Sequence, residues 1–333
     1  MTNPHNPHNP ITRRQALAAA AALTAATVLP TAHAQAAWPS RPLKLVVGFP
    51  GGSSPDLTAR LLAEPLAQAL GQPVVVENRP GAGGNIAAAQ VARADDDHTI
   101  GLMINGNMTI AKILNPDTTY DPIKDLTPVS LIATAPLVLS VPATVAESGA
   151  AYLAAAKAAG DKWNYGTPGV GTVGHLGMEL LKSRSGIAPV HVPYPGNPQV
   201  IAAIIGGQIQ MSLLPPGLAM AQVRGGKLKA IGVTSLGRSS LVPDVPSLAD
   251  AGVRDFQLEI WNAVAAPNSM PKANVNKLAA LLTEIVRRED IRQKIFAQGW
   301  QVAGTGPEGL ARRIKSDTAA MTEVIQRNNI RPG

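Results

Sequence analysis

Apolar runs of strand length alternate with segments of helical period through most of the chain. Residues 43–49 precede a helical stretch at 55–70, residues 74–76 precede one at 86–93, and an apolar run follows at 100–104. This alternation predicts parallel α/β architecture. A second series begins with a strand at 137–141, an Ala-rich helix at 150–159, a short strand at 163–166, a helix at 173–182 and a strand at 190–193. It continues with a helix at 198–205 and strands at 210–214 and 228–234, before a mostly helical end at 275–288, 292–298 and 309–326. No repeat of 20 to 50 residues and no low-complexity linker interrupts this order after residue 34.

The first 34 residues have a different character: a polar stretch to Thr12, the pair Arg13 and Arg14, and an apolar run from Ala16 to Leu29. That is the layout of a cleavable export signal, with Ala32-His33-Ala34 as the small-residue site and cleavage expected after Ala34. The apolar run is shorter than the roughly 18 to 20 residues that a membrane span needs. Residues 12–17 resemble a twin-arginine signal, although Ala16 stands where that motif carries Phe, so ordinary Sec export stays open. The expected location is the periplasm.

Without the leader about 299 residues remain, more than one core usually organises, so two lobes are expected. The whole chain has 29 Lys+Arg and 22 Asp+Glu; losing Arg13 and Arg14 leaves a formal charge of +5. This mild excess is dispersed and lacks interleaved aromatics, which argues against nucleic acid and fits a small anion. The sequence has no cysteine, so disulfides, thiolate catalysis and thiolate metal sites are excluded. His98, His175 and His191 are the only histidines beyond the leader, with no helical ligand spacing among them, so no metal is expected.

Four Gly-rich turns leave a strand and enter a helix: Gly51 to Asp56, Gly81 to Asn85, Gly166 to Thr172, and Gly196 to Gln199. Ser54, Asn85, Thr172 and Asn197 are the expected N-caps, with Pro55 and Pro198 at the first helical position and Asp56 in the first turn. A helix N-terminus has N–H groups without intrahelical acceptors and a partial positive charge, so several facing one cleft would hold a carboxylate. Each turn alone is also ordinary cap chemistry. Gly81-Ala82-Gly83-Gly84 is not GxGxxG, and no dinucleotide or other cofactor is expected. His175, three residues past Thr172, lines the cleft or caps the same helix; a hydrolase acting through Thr172 and His175 is the alternative, though no GxSxG elbow exists. His191 reads as a structural histidine, and Trp261 as core or a stacking surface for ligand.

Specific strings then carry a family resemblance across nearly all of the chain beyond the leader. WPSRPLKLVV at 38–47, VVVENRPGAGG at 74–84, YDPIKDLTPV at 120–129, YGTPGVGTVGHL at 165–176, HVPY at 191–194 and VPSL at 245–248 resemble the tripartite tricarboxylate transporter substrate-binding proteins, the Bug proteins. The resemblance implies a two-lobed, type II periplasmic-binding-protein fold of class α/β, each lobe a mixed sheet flanked by helices, with the ligand cleft between lobes. One lobe is expected at 38–135 plus 259–333 and the other at 136–258.

It further implies a monomeric solute-binding protein and not an enzyme, handing a dicarboxylate, tricarboxylate or aromatic acid to inner-membrane transporter subunits. A ligand-sensing partner of a membrane signalling protein is a further alternative. The family's carboxylate-holding positions fall here on Gly52, Ser53, Ser54, Thr167, Gly171 and Thr172. Asp56, His175 and Asn197 join them as expected ligand-site residues from the turn chemistry. Ser53, Pro55 and Pro195 depart from the usual family residues, and Ala203 and Gln210 stand where the family has Asp. Fewer acids near the cleft would leave an ammonium without a counter-charge, so a carboxylate lacking an amine is expected.

Overall fold

The structure is a computed structural model that describes residues 38–145, 148–328 and 330. The leader, with Arg13, Arg14 and the Ala34 site, lies outside the described residues. Among the described residues, all secondary structure belongs to the unit Pro39–Gly333.

Two parallel crossovers open the fold. Strand β1 (Leu43–Val47) leads through helix α1 (Ser54–Leu70) to β2 (Val74–Asn78), and helix α2 (Asn85–Ala92) then leads to β3 (Thr99–Ile104). Both β2 and β3 pair with β1 in parallel. Leu43, Leu45, Val46 and Val47 are buried, as expected for a central strand covered on both faces. A π-helical turn at Gly106–Ile110 runs into the short α3 (Ala111–Leu114). The long β4 (Leu126–Pro136) then joins the same sheet.

The chain next builds a separate set of strands. β5 (Val138–Pro142), α4 (Gly149–Ala159), β6 (Asn164–Thr167), α5 (Val173–Ser185), β7 (Val190–Pro193) and α6 (Asn197–Ile205) follow in order. After them come β8 (Ser212–Leu214), α7 (Pro216–Arg224) and β9 (Leu228–Val233). β8, β5 and β9 form an antiparallel three-stranded sheet, and β6 pairs with β7 in parallel. The chain then returns through β10 (Glu259–Pro267), α8 (Lys272–Arg287), α9 (Glu289–Ala297), β11 (Gln301–Thr305) and α10 (Pro307–Arg327). The large sheet has the order β11-β4-β10-β3-β1-β2, with β10 antiparallel to both β3 and β4.

Parallel pairing therefore holds for β1 with β2 and β3 and for β6 with β7, while the large sheet as a whole is mixed and the three-stranded one antiparallel. Strands β4, β10 and β11 and helix α7 were invisible to periodicity. β4 and β10 are buried on both faces, so they lack alternation, and prolines and bulges interrupt their pairing. Helix α7 opens on Pro215 and Pro216, residues that read as a turn. By contrast α8 buries Val275, Leu278, Ala279, Leu282, Ile285 and Val286, a helical stripe that the sequence displays directly.

The two connections between the sheets lie side by side, with Pro136 opposite Glu259 in the β4–β10 register. Thr234 ties them together. Its hydroxyl accepts from the Leu137 N–H (2.8 Å) and donates to the Leu258 carbonyl (2.8 Å), while its main chain exchanges bonds with Leu137 and Leu258.

Candidate ligand-binding cleft

A cavity lies where the ends of β1, β3 and β10 face the N-termini of α1, α5 and α6. Phe49, Ser54, Pro55, Ile104, Asn105 and Leu137 line it together with Thr172, Val173, Gly174, Asn197, Leu213, Ile260, Trp261, Asn262 and Trp300. The space between its walls, the open mouth included, is about 470 Å³. That is the size of a small-molecule site. None of these lining residues is charged.

Polar groups converge on it without partners of their own. Ser54 Oγ, Asn105 Oδ1, Asn197 Oδ1 and Asn262 Oδ1 are buried and make no hydrogen bond within the protein, and neither does Ser53 Oγ beside them. Buried side-chain oxygens are normally paired, because leaving one unsatisfied costs roughly 1–3 kcal/mol. Their concentration around one cavity, in reach of three helix N-termini, marks a site built for a polar guest.

The loop after β1 is braced from behind. Asp56 sits in the first turn of α1 and accepts from the Gly52 N–H (2.9 Å), Asn78 Nδ2 (2.8 Å) and Arg60 Nε (3.0 Å). Burial opposes its charge, but the bonds from Arg60, Asn78 and Gly52 outweigh that and hold its pKa below the usual carboxylate value. The Asp56 carboxylate and the Gly52 N–H are thus committed to each other. The helix starts one residue earlier than expected: Ser53, extended, is the N-cap, and its side chain makes no cap bond. The same shift puts Gly84 and Gly196 at the caps expected of Asn85 and Asn197. Asn85 instead accepts from Asn107 Nδ2 (2.8 Å) and the Tyr120 hydroxyl (2.9 Å), and Asn197 is left free to face the cavity.

The loop after β6 folds around two threonines. Thr172 caps α5 as expected, its hydroxyl accepting from the His175 N–H (3.3 Å) and donating to the Gly169 carbonyl (2.8 Å). Thr167 accepts from the Gly169 N–H (3.3 Å) and shares a 2.6 Å hydrogen bond with His191 Nε2. Behind them His191 stacks on Tyr165 (4.8 Å) and on His175 (4.5 Å). The Tyr165 hydroxyl donates to Glu179, which also pairs with Lys182 (2.9 Å). Burial lowers the pKa of both histidines, with His191 pushed down to about 4 by burial and then by His175. Both rings are therefore neutral at pH 7. His175 Nδ1 receives the Gly171 N–H (3.5 Å), and the Thr172 proton points at main chain, so the two side chains do not form a nucleophile–base pair.

Of the expected site residues, Ser54, Thr172 and Asn197 line the cavity and Ser53 adjoins it. Gly171 lies on a second, outer opening shared with Gly81, Ala82, Gly83 and Tyr194. Gly52 is exposed at φ +77, and Asp56, Thr167 and His175 stand behind the loops. Trp261 is fully buried and its Nε1 donates to Asp317 (2.7 Å), although an edge reaches the cavity. Ala203 is packed in an apolar cluster and Gln210 accepts from the Asn164 N–H (2.8 Å), so neither position borders the cavity. Asn105 and Asn262 went unnoticed in the sequence. The available signal was one polar residue ending or interrupting each of two apolar strands. Among the described residues no group of His, Cys, Asp and Glu is arranged to hold a metal ion, and no helix is long and apolar enough to cross a membrane.

A mixed α/β fold with paired sheets, two adjacent connections and a polar cavity between them is that of a two-lobed periplasmic binding protein. The sequence profile described as "Tripartite tricarboxylate transporter family receptor" matches residues 58–330, and the chain belongs to that family. Its members are periplasmic solute-binding proteins, not enzymes. The UPF0065 protein in the tcbD-tcbE intergenic region of Pseudomonas sp. (strain P51) is 34% identical over 95% of this chain and 94% of its own. Among solved structures, the periplasmic binding protein BugD shares 30% identity with a TM-score of 0.84, covering 88% of this chain and 99% of its own. R. palustris Rpa4515 with adipate gives 29% and 0.86, covering 89% of this chain and all of its own. MatC from Rhodopseudomonas palustris with bound malate gives 30% and 0.82, covering 86% of this chain and all of its own.

Proposed function

We propose that this protein captures a small carboxylate in the periplasm and delivers it to the membrane subunits of a tripartite tricarboxylate-type transporter. The observation that carries this reading is the charge-free cavity at the N-termini of α1, α5 and α6, ringed by the unpartnered side-chain oxygens of Ser54, Asn105, Asn197 and Asn262. Helix N–H groups with the Ser53 and Ser54 hydroxyls, which have no partner within the protein, supply donors to a carboxylate without any fixed cation. Ser53, Ser54, Thr172 and Asn197 contact the ligand; Gly171 shapes the entrance, and Gly52, Asp56, Thr167 and His175 hold the loops in place. Relatives that bind adipate and malate support small carboxylates as the class. The leader is removed after Ala34, and the mature protein acts as a monomer. Its lobes are 38–135 plus 259–333 and 136–258, boundaries supported by the paired connections that Thr234 clamps.

The test is a thermal-shift and calorimetric screen of the protein lacking residues 1–34 against mono-, di- and tricarboxylates and aromatic acids. Saturable binding with ligand recovered unchanged is expected, with stabilisation of about 2.7 kcal/mol at a hundred times Kd. Turnover of a ligand, or no response to any acid, would overturn the reading.

A further inference from the structure

The cavity's unpartnered side-chain atoms are mostly acceptors, whereas a carboxylate brings acceptors only. Asn105 shows why its oxygen must be one. Its Nδ2 donates to the Glu259 main-chain carbonyl (3.0 Å), a group that can only accept, so the amide cannot be reversed without setting oxygen against oxygen. Asn262 is held likewise: Nδ2 donates to Thr58 Oγ1 (2.9 Å), whose own proton goes to the Ser54 carbonyl (3.2 Å). Both residues are at least nine-tenths buried, at 2% and 1% exposure. β10 pairs Asn262 with Ile104, the residue before Asn105, so the two amides occupy neighbouring sites at one wall of the cavity.

We infer that these two amide oxygens are specificity determinants that accept a hydrogen bond from a hydroxyl on the ligand, making the preferred class hydroxycarboxylates. This rests on the capture of a carboxylate proposed above. The carboxylate lies at the helix N-termini, where N–H groups and hydroxyls donate, and the hydroxyl turns toward the strand ends, where Asn105 and Asn262 accept. An ammonium also offers donors, but no acid lines the cavity to offset its charge, so a buried ammonium would be penalised where a neutral hydroxyl is not. An unhydroxylated acid leaves both oxygens facing its carbon chain, the situation in which a site built for a hydroxyl rejects the analogue lacking it.

Matched ligand sets test this by calorimetry: succinate, 2-hydroxysuccinate and 2-aminosuccinate; glutarate, 2-hydroxyglutarate and 2-aminoglutarate; propane-1,2,3-tricarboxylate and its 2-hydroxy form; 3-phenylpropionate and its 2-hydroxy form. In the set whose skeleton fits, the hydroxy acid binds at least about tenfold more tightly than the parent and the amino acid. Asn105→Ala and Asn262→Ala reduce that ratio toward one, and near-ultraviolet circular dichroism verifies folding. A ratio below about two in the unmodified protein overturns the inference, as does tighter binding of the amino acid or a ratio unchanged in both folded variants. Binding of parent and hydroxy acid alike leaves carboxylate capture standing; binding of no acid removes both.

Discussion

The loops after β1 and β6 look alike in sequence, each a Gly-rich turn entering a capped helix, yet the structure stiffens them by opposite electrostatics. Behind Gly51 and Gly52 stands a buried carboxylate that is charged and satisfied by Gly52, Asn78 and Arg60. Behind Gly169 and Gly171 stand two stacked neutral imidazoles, tied to the loop through Thr167 and His175 Nδ1. A glycine turn without a brace would be mobile. The comparison teaches that the support for a binding loop lies several residues away, and that two turns of one pattern can fail under different conditions.

The largest expected effect comes from cutting the charged brace. Asp56→Ala takes the acceptor from the Gly52 N–H and breaks the ion pair with Arg60, while Asn78 Nδ2 keeps the Phe49 carbonyl and Arg60 keeps Asn78 Oδ1. A loss of about 2–4 kcal/mol in urea unfolding is expected, with binding weakened in the surviving fold. A loss below about 1 kcal/mol would mean that the loop holds its shape unaided.

The neutral brace should break with acid instead. His191 has a folded pKa of about 4, below its unfolded value near 6.5, so the unfolded chain binds the proton more readily. The stability this pair contributes is complete above pH 6.5 and is lost as pH falls toward 4. Asp56 behaves differently: its pKa is lowered, so its contribution persists above the ordinary carboxylate value and disappears only below it. Between pH 7 and pH 5 a decline of about 1–2 kcal/mol is expected, discounted because the His191 ring is part-exposed. His191→Gln should flatten the profile over this window while Asp56→Asn leaves its slope intact. The same slope in wild type and His191→Gln would show that the imidazoles do not set it.

The two loops also show what a sequence displays and what it conceals. Local chemistry was legible: Gly turns, the Thr172 cap, the amphipathic stripe of α8 and the strands β1 and β3 all depend on neighbours within a few residues. The helix starts at Ser54, Asn85 and Asn197 were displaced by one, because Ser53, Gly84 and Gly196 can take the non-helical cap conformation as readily as the expected residues. β4 and β10 were concealed because burial on both faces removes alternation. Asn105 and Asn262 were concealed because their partners Glu259 and Thr58 are 154 and 204 residues away. Family strings contain Thr172, which lines the cavity, and only the fold showed that strand ends form another of its walls.

The smallest effect isolates the one residue that belongs to both the brace and the cavity. Thr172 caps α5 through the His175 N–H, fastens Gly169 through its proton, and presents its side chain to the cavity. Thr172→Ala removes all three contributions and should lower stability by about 1 kcal/mol, the usual value for a lost N-cap. Thr172→Ser keeps the hydroxyl and should restore that stability to within a few tenths of a kcal/mol. Affinity for the best carboxylate separates the roles. If the hydroxyl only caps, serine and alanine variants bind in proportion to how well their loops are ordered, and added ligand stabilises both equally. If it also donates to the carboxylate once Gly169 yields, the alanine variant loses about tenfold in Kd while the serine variant does not. Unchanged affinity in Thr172→Ala would place the anion wholly on the helix N–H groups of α1 and α6.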